Sequence, residues 1–529
     1  MFRYYFALYL LLMVSACKKE NNHTQWDVEV YGPLLHATFG VNELVGSSSI
    51  EADSNGAQTL DYDTLFSAFK IDSIYKINDT TLSTIIIFPA FQDTIHPGDA
   101  FISNNNDIAL GLGNIQLKEA IISSGKIRLE IKNTLHSKVN FIYTIPRAYL
   151  NGVAFTVTAS VDSASITNPK YFIGEYDMAG YRIDLTGFGG NLVNSLTNNV
   201  KAISNPSGVP FHIAGLDTMV NLKSSLLSIR PSYVKGFLGQ VNTTLNTSEN
   251  IGIGGLIKNG TILLDSVKMN LDIINYIGAD AQALMTSLRS INNRTGNTVL
   301  LTAPSLINHY LNINRASINS TWSDSLLPSI YSIQLDQSNS NIKNVIENIP
   351  DKIDYDLILN LNPQGNNSGS NDFAFSEKLL DTRLRIKMPL RFALNQLLLA
   401  DTIPFSINNA ADFDVVGPLT LTLLADNGFP FDMNIQLFLL DNTQSIVDSL
   451  FLPDLIDAAP YDASYRATGV TRTEIKIPVD QKRKQRLLSV EQIGVRMKFN
   501  TPDYPQKIQF YSNYKLDLKM VADGIYSIR

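Results

Sequence analysis

The sequence LEIKNTL at residues 129–135 recurs in altered form as LDIINYI at residues 271–277 and as LTLLADNGF at residues 421–429. Each copy contains an apolar strand, an asparagine and an apolar residue two positions later. A turn and a second apolar segment follow in every copy. The asparagines Asn133, Asn275 and Asn427 lie roughly 150 residues apart, about one domain length, so the repeat predicts one domain per copy.

The repeat also decides the structure of an ambiguous segment. Residues 279–291, rich in Ala, Gln, Leu and Met, are by themselves typical of a helix. Their alignment with the apolar segments 139–145 and 433–439 favours a strand instead. The repeated asparagine is predicted to adopt a turn conformation or to bond nearby backbone, rather than to act in catalysis.

Composition favours the same class of fold. The chain of 529 residues contains 22 Tyr and 25 Phe, with many Ile, Val and Thr, which prefer strands. The net charge of −7 disfavours a nucleic-acid partner. We therefore expect a mainly β protein, with tandem β-sandwich-like domains and a few short helices after a lipoprotein signal peptide.

The expected organisation is sequential. In order, the predicted segments are a signal peptide (1–16), a lipidated tether (17–25), a first β domain (26–165), a mixed connecting region (166–240), a second β domain (241–335) and a third β domain (336–529).

The N-terminus has the features of a secretory signal. Arg3 precedes an apolar run over residues 4–13, and the small residues Val14, Ser15 and Ala16 lead to Cys17. A membrane span needs about 20 apolar residues, so this run is too short to be an anchor. The pattern resembles a bacterial lipobox, which implies that Cys17 receives lipid and becomes the mature N-terminus. A soluble secreted protein cleaved near Ala16 is the alternative.

Cys17 is the only cysteine of the chain. Disulfides, cysteine-ligated zinc and cysteine nucleophiles are therefore excluded. After it, the polar residues 18–25 indicate a tether. Lys19 and Glu20 resemble the surface-export signal of Bacteroidota-type lipoproteins, which favours the cell surface over the periplasmic face, whereas an ordinary solvated linker is the alternative.

Several local patterns predict individual elements. Residues 26–31 alternate as in a half-buried strand that Gly32-Pro33 ends. Polar clusters at 103–107 and 123–125 indicate turns between strands. The apolar residues of 191–203 have helical spacing, and residues 231–240 indicate a turn.

Two further segments lie near the second and third repeats. Ser340 is predicted to cap a helix over residues 341–348, which Pro350 closes. The basic cluster 482–486 indicates a solvated helix start or turn, and contact with anionic lipid or an acidic partner is its functional alternative.

No catalytic motif emerges from the sequence. The glycine pairs in 187–190 and 252–255 lack the third glycine of a dinucleotide-binding loop. Asp354 and Asp356 would share one face of a strand near Asp351, where paired acids can serve glycoside hydrolysis, but a solvent-facing strand explains them equally well. We therefore predict a protein that is not an enzyme and has no catalytic residue or cofactor.

Metal binding is not favoured either. The acidic turn at residues 53–56 lacks the spacing of a calcium loop and its terminal Glu. The six histidines are dispersed, without the spacing of metal ligands; they are His23, His36, His96, His136, His212 and His309.

At the repeats, the chain resembles large Bacteroidota-type outer-membrane lipoproteins of uncharacterised function. The resemblance is based on the lipobox, the strand beginning at Trp26, the turn at 427–431 and the passage at 340–365. The strand–Asn–turn–strand unit is also similar to the immunoglobulin-like domain of the late-embryogenesis-abundant family. These resemblances imply β-sandwich domains on a membrane anchor and supply no catalytic residue.

Three functions are consistent with these features. The first is a non-enzymatic, lipid-anchored scaffold or accessory subunit of an outer-membrane complex for protein assembly, export or nutrient uptake. The second is a surface protein that binds carbohydrate, which requires exposed aromatic rings in a row on one sheet face. The third is a carrier of lipid or another apolar ligand, which requires a continuous apolar cavity.

Overall fold

The computed structural model describes residues 26–41, 49–67, 79–87, 93–213, 219–251, 257–318, 326–405, 416–451 and 455–528. The chain is 63% strand and 3% helix, which confirms the expected mainly β class. The predicted signal peptide, the tether, Cys17 and residues 252–255 lie outside the described residues.

Strands make up almost all of the regular structure. The first in chain order are β1 (Trp26–Gly40), β2 (Ser49–Ala52), β3 (Gln58–Ser67), β4 (Thr80–Ile87), β5 (Asp93–Ile95), β6 (Ala100–Ala109), β7 (Gln116–Asn133), β8 (Val139–Leu150), β9 (Val153–Val161), β10 (Lys170–Asp177), β11 (Arg182–Asp184) and β12 (Ser195–Ser204). The next are β13 (Phe211–Ile213), β14 (Met219–Phe237), β15 (Val241–Asn250), β16 (Ile257–Leu264), β17 (Lys268–Asn275), β18 (Ala281–Asn292), β19 (Asn297–Leu300), β20 (Tyr310–Ile313), β21 (Ser317–Ile318), β22 (Leu326–Leu327), β23 (Ser329–Leu335) and β24 (Lys352–Leu361). The last are β25 (Asp372–Phe375), β26 (Leu380–Pro389), β27 (Arg391–Pro404), β28 (Val416–Asn427), β29 (Met433–Leu440), β30 (Ile446–Phe451), β31 (Thr471–Val479), β32 (Gln492–Phe499), β33 (Ile508–Gln509) and β34 (Lys515–Ile528). Two short helices within the described ranges are α1 (Ile342–Glu347) and α2 (Gln481–Leu487).

Strand pairing defines the same eight-stranded unit three times. In the unit that we call the middle domain, one sheet has the order β3-β26-β17-β23 and the other β15-β24-β18-β20, with all pairs antiparallel. When its strands are lettered B to I along the chain, the sheets read B-I-D-G and C-H-E-F. This is the strand order of a jelly roll rather than of an immunoglobulin domain.

Two other units repeat this order. The inner domain pairs β4-β14-β7-β10 and β6-β12-β8-β9. The outer domain pairs β1-β34-β28-β31 and β27-β32-β29-β30. In the inner domain, β11 pairs with both β7 and β8, which joins its two sheets along one edge.

The three jelly rolls are nested rather than consecutive. Strand B of the outer domain is β1, and strand B of the middle domain is β3. The whole inner domain, from β4 to β14, follows before strand C of the middle domain, and strand C of the outer domain comes only after strand I of the middle domain. Each enclosed domain is thus inserted between strands B and C of the next one. The pairing therefore joins segments, such as Trp26 with Ile528, that the sequential division keeps apart.

The repeated asparagine forms the arch between the two sheets of each jelly roll. Asn275 ends strand D of the middle domain and is fully buried. Its Oδ1 accepts the N–H of Ile277 at 2.9 Å, and its Nδ2 donates to the carbonyl oxygens of Ala279 at 3.3 Å and Asn314 at 2.8 Å. The side chain therefore fixes the arch and also ties it to the end of strand F.

The other two copies make equivalent bonds. The carbonyl acceptors are Ser137 and Asp162 for Asn133, and Phe431 and Asp457 for Asn427. The backbone donors are Leu135 and Phe429. This geometry confirms the predicted bonding of the asparagine to backbone, and β18 confirms the predicted strand within residues 279–291.

The predicted helix over residues 191–203 is wrong. The segment contains β12, which pairs with β6 on one side and β8 on the other. Thr197 and Asn198 are as buried as Leu196, so spacing of the apolar residues alone did not reveal which residues face inward. Pairing on both edges satisfies the backbone of this segment as a strand.

Several segments that were predicted to interrupt strands lie within continuous strands instead. Residues 103–107 lie within β6, where Asn105 accepts a bond from Asn199 of β12 at 2.8 Å. Residues 123–125 lie within β7, and β1 passes Gly32-Pro33 with a shift of register. Residues 231–237 belong to β14. In each case a neighbouring strand supplies partners that local turn propensity does not anticipate.

The middle domain packs against the inner domain near the point where the chain passes from β14 to β15. β25, in the H–I connection of the middle domain, pairs with β14 of the inner domain. The fully buried Asp372 accepts bonds from the backbone N–H of Leu238 at 3.2 Å and from Asn362 Nδ2 at 2.8 Å. The loop 362–372 is thus partly buried at this junction.

Candidate apolar ligand site in the middle domain

Strand E differs among the three domains at its inward-facing positions. Counting from each repeated asparagine, the sixth, eighth and tenth following residues are Val139, Phe141 and Tyr143 in the inner domain, Ala281, Ala283 and Met285 in the middle domain, and Met433, Ile435 and Leu437 in the outer domain. All nine are buried. The middle domain therefore has the least side-chain volume at this place in the sandwich.

Aromatic rings fill the interiors of the other two domains. In the inner domain, the ring of Phe155 lies 6.4 Å from Tyr143 and 5.6 Å from Tyr181. In the outer domain, Phe431 stacks on Phe499 at 4.9 Å. The void beside these outer-domain rings is only about 20 Å³, about the space of one water molecule.

The middle domain contains a cavity of about 230 Å³ between its sheets. Leu271 and Ile273 of strand D and Leu384 and Ile386 of strand I line one side. Strands C, E, F and H line the other, with Ala283 and Met285 on strand E. The cavity therefore lies where the small side chains of strand E leave the interior unfilled.

Helix α1 contributes a further wall. Ile342, Val345 and Ile346 are its buried residues, and all three line the cavity. The helix lies in the G–H connection and within the predicted residues 341–348, but its N-cap is Asn341 rather than the predicted Ser340. Ser340 Oγ accepts the N–H of Ile342 at 3.4 Å, so the predicted capping residue lies beside the first turn.

Three of the five polar side chains of the lining lie together on strands C and H, whereas Tyr62 and Thr382 lie on the opposite sheet. Thr247 on β15 lies opposite Tyr355 on β24, and Glu249 follows two residues later on the same face of β15. These three side chains are only partly buried, as are Leu245 and Leu357 beside them. The lining of the cavity is therefore least buried along strands C and H.

The electrostatic environment of Tyr355 reflects this position. Burial raises the pKa of its phenol above the ordinary value, and the Glu249 carboxylate raises it further, while a hydrogen bond with Thr247 opposes the change. Tyr355 thus remains protonated at neutral pH and offers a hydroxyl group at the edge of the apolar space.

The size and lining suit a small apolar molecule. An engineered apolar cavity of about 150 Å³ stays dry and binds benzene. The cavity between these two sheets, about 230 Å³, is larger and mostly aliphatic. It remains below the volume of about 300–1,000 Å³ that is typical of pockets for larger ligands.

The acidic residues singled out in the sequence lie elsewhere. Asp354 and Asp356 share the outer face of β24, and each has a cationic partner. Asp351 bonds the backbone N–H of Asn293 at 2.8 Å and pairs with Arg294 at 3.2 Å. The structure therefore brings these carboxylates into ion pairs rather than around a common cleft.

The basic cluster forms a helix start, as predicted, but it is only partly solvated. Asp480 caps α2 by accepting the N–H of Arg483 at 2.7 Å. Arg483 and Arg486 both approach Asp448 at 3.2 Å, and Lys484 is 3% exposed. Three charges of the cluster are thus engaged or buried within the outer domain.

Exposed aromatic rings are dispersed over the described part of the chain. Tyr31, Tyr149, Tyr171 and Tyr310 lie on strands of different sheets or different strands of one sheet. Phe188, Tyr461 and Tyr504 lie in connections. Tyr461 contacts Tyr465 at 5.7 Å. Within those ranges no row of exposed rings crosses a single sheet face.

A shallow groove of about 420 Å³ crosses the outer face of the outer domain. Gly494 is among its lining residues, and Phe438 and Arg496 flank it. The Arg496 guanidinium lies 4.5 Å from the centre of the Phe438 ring. One face of this aromatic ring is therefore already covered by a side chain of the same domain.

Neither a metal centre nor a helical membrane span is present among the described residues. No group of three or more His, Cys, Asp or Glu side chains there is arranged to hold a metal ion. In the same ranges, no helix has the length and apolar character needed to cross a membrane.

Comparisons with known proteins give no family assignment. No protein-family model and no curated protein matches the sequence. Among solved structures, the chain is similar to a protein from Parabacteroides distasonis, described as secreted, with TM-score 0.26 and 11% identity over 93% of this chain and 99% of the other.

Two further similar structures come from archaeal viruses. They are the Sulfolobus Turreted Icosahedral Virus and a triple jelly roll and turret assembly, with TM-scores of 0.12 and 0.11, 11% identity, and coverage of 84% of this chain and 90% of theirs. All three TM-scores are too low to show a shared fold. The jelly-roll assignment therefore depends on strand pairing in this chain alone.

Proposed function

We propose that the protein is a non-enzymatic, lipid-anchored protein of the bacterial outer membrane that carries a small apolar ligand in its middle domain. The cavity of about 230 Å³ between the two sheets is the observation that carries the ligand-binding part. Aliphatic walls favour an apolar ligand because its transfer from water is favourable at about 25 cal/mol for each Å² buried.

Ligand binding is tested by filling the cavity from strand E. Ala283→Ile and Ala283→Phe introduce the side chains found at the equivalent positions of the outer and inner domains. We expect N-phenyl-1-naphthylamine, an uncharged fluorophore, to bind the wild-type protein with increased fluorescence. Binding should weaken in Ala283→Ile and disappear in Ala283→Phe, because the added atoms occupy the ligand's space.

Leu300→Phe is the matched control, since Leu300 is 58% exposed on β19 of the same domain. Melting temperatures establish that each variant is folded. Equal fluorescence in wild type and Ala283→Phe, or no binding by the wild-type protein, would contradict the proposal.

The anchor is proposed from the sequence. Cys17 stands at the end of a signal-like segment and is the single cysteine. Two or three acyl chains at this residue would hold the protein stably, since one chain gives only marginal binding. Cys17→Ser should abolish labelling with radioactive palmitate and release the protein from the membrane fraction. A variant that keeps both properties would exclude lipidation at Cys17.

The exposed face of the membrane is a separate proposal. Lys19 and Glu20 favour the cell surface. Protease treatment of intact cells should degrade the protein before outer-membrane permeabilisation. Protection until permeabilisation would instead place it on the periplasmic side.

A carrier must exchange its ligand with another molecule, so the role of accessory subunit to an outer-membrane complex remains part of the proposal. Cross-linking in intact cells followed by purification of outer-membrane complexes tests it. Recovery of the protein only as an uncross-linked monomer would count against that role and would leave ligand binding unaffected.

A further inference from the structure

We infer that the cavity selects a single-chain apolar molecule whose head group donates hydrogen bonds and carries no negative charge, such as an alcohol or a primary amine. This inference depends on the proposed ligand-binding function and specifies the class of ligand. It is based on the distribution of charge and of hydrogen-bonding groups around the cavity.

The lining contains a single acidic side chain and no basic one. Glu249 is the only Asp or Glu among the lining residues, and Lys, Arg and His are absent from this part of the described chain. A carboxylate transferred from water into an apolar space is costly unless a cation or several donors compensate it. The anion of a fatty acid would find no such cation in this lining and would also face Glu249.

Cations do occur on the lining strands, but on their opposite face. Lys352 of β24 pairs with Asp354 at 3.0 Å, and Arg289 of β18 pairs with Asp356 at 3.2 Å. Successive side chains of a strand point to opposite faces, so residues 352, 354 and 356 face away from Ile353 and Tyr355 in the lining. Lys352 and Arg289 therefore point away from the cavity, and each is already paired with a carboxylate.

The polar groups of the lining on strands C and H are suited to bind a head group that donates hydrogen bonds. The Glu249 carboxylate is an acceptor only, and the hydroxyl oxygens of Thr247 and Tyr355 also accept hydrogen bonds. Because Thr247 and Tyr355 are cross-strand partners and Glu249 lies on the same face, the three acceptors converge on one region. An alcohol or ammonium head group there would leave its chain in the aliphatic part of the cavity.

The volume limits the apolar part of the ligand. A space of about 230 Å³ exceeds that of a benzene-binding cavity only moderately. The walls come from both sheets and from α1. A single short chain therefore fits this volume better than a lipid with two long acyl chains.

The test compares three probes of one chain length with the full-length protein: 1-octanol, octylamine and octanoate, measured by calorimetry at pH 7. We expect 1-octanol and octylamine to bind and octanoate to bind about tenfold more weakly or worse, because its carboxylate would enter an apolar lining that holds no cation and would face Glu249. In Glu249→Gln, octylamine should lose affinity, octanoate should gain it, and 1-octanol should change less than twofold. Glu377→Gln, at an exposed position of the same domain, should change none of the three.

The outcomes separate the two proposals. If octanoate binds as tightly as 1-octanol and both are lost in Ala283→Phe, the head-group inference is overturned and the ligand cavity stands. Unequal binding that persists unchanged in Glu249→Gln also overturns it. If neither the three probes nor the fluorophore binds the wild-type protein, the proposed ligand-binding function is contradicted.

Discussion

At the scale of single residues, the repeated asparagines explain how an arch can cross a sandwich without exposing its backbone to an apolar core. Each side chain satisfies one N–H group and two carbonyl groups that lack sheet partners. Buried polar groups of this kind are costly when left unpaired. Sequence alone identified these residues because their spacing from the two flanking strands is repeated.

Removal of one such side chain should weaken the middle domain. Asn275→Ala leaves three backbone groups without their partner, and each unsatisfied group costs about 1–3 kcal/mol. We expect a loss of about 3 kcal/mol or more in the free energy of unfolding, measured by urea denaturation. Asn104→Ala, at an exposed position of β6, is the control and should cost less than about 0.5 kcal/mol. Equal effects of the two substitutions would show that the arch bonds are unimportant.

A second residue-scale prediction concerns acid. Arg472 forms two hydrogen bonds of 2.7 Å with the Asp426 carboxylate and thereby lowers its pKa. Since the folded-state pKa is depressed, the associated stability is present above the unfolded value of about 4 and is lost as pH falls through the folded value. Because the Arg472 side chain is exposed to solvent, we expect the contribution of the pair to be small.

Arg472→Gln measures this contribution. The urea midpoint should be lower in the variant than in wild type at pH 7, and the difference should shrink as the pH is lowered below 4. A difference that is as large in acid as at neutral pH would assign the effect to packing of the arginine chain instead.

At the scale of elements, the cavity arises from one strand. β18 has the same length as β8 and the same relation to its asparagine, yet it carries Ala281 and Ala283 where β8 carries Val139 and Phe141. This difference is visible in the aligned repeats. The difference indicates a cavity only once the structure shows that side chains of the opposite sheet do not fill the space.

A close approach of two strands gives an element-scale prediction. Gly236 in β14 has a φ of +149°, and a Cβ atom there would overlap the carbonyl oxygen of Gln116 and lie 2.7 Å from Leu117 Cα of β7. Both contacts are with backbone, which cannot rotate away. Gly236→Ala should therefore destabilise the inner domain by about 2–4 kcal/mol.

Gly32→Ala is the corresponding control, because no atom lies within 4 Å of the added Cβ. Thermal denaturation followed by circular dichroism compares the two variants. A melting temperature of Gly236→Ala equal to that of Gly32→Ala would show that β14 and β7 are able to separate without cost.

At the scale of the whole molecule, nesting determines which fragments are able to fold. All eight strands of the inner domain lie within residues 79–240, whereas the middle domain needs β3 in addition to residues 241–390. We expect the fragment 79–240 to fold cooperatively on its own. The fragment 241–390 should not, since without β3 the edge of β26 and the core around Leu60 are exposed.

The matched test joins residues 49–67 to 241–390 through a flexible Gly-Ser linker in place of the inner domain. This protein should recover a cooperative thermal transition and bind N-phenyl-1-naphthylamine. A cooperative transition in 241–390 alone would contradict the role assigned to β3.

The sequence by itself determined the β class, the three repeated arches and the strand within residues 279–291, because each depends on local periodicity or on a repeated spacing. The sequence did not predict that β6 and β7 are continuous, because polar and glycine-containing segments become strands when neighbouring strands pair with them. Only the tertiary structure decided the nesting, in which partners such as Trp26 and Ile528 are separated by almost the whole chain. The cavity was likewise decided in three dimensions, because an empty space depends on the side chains that both sheets bring to it.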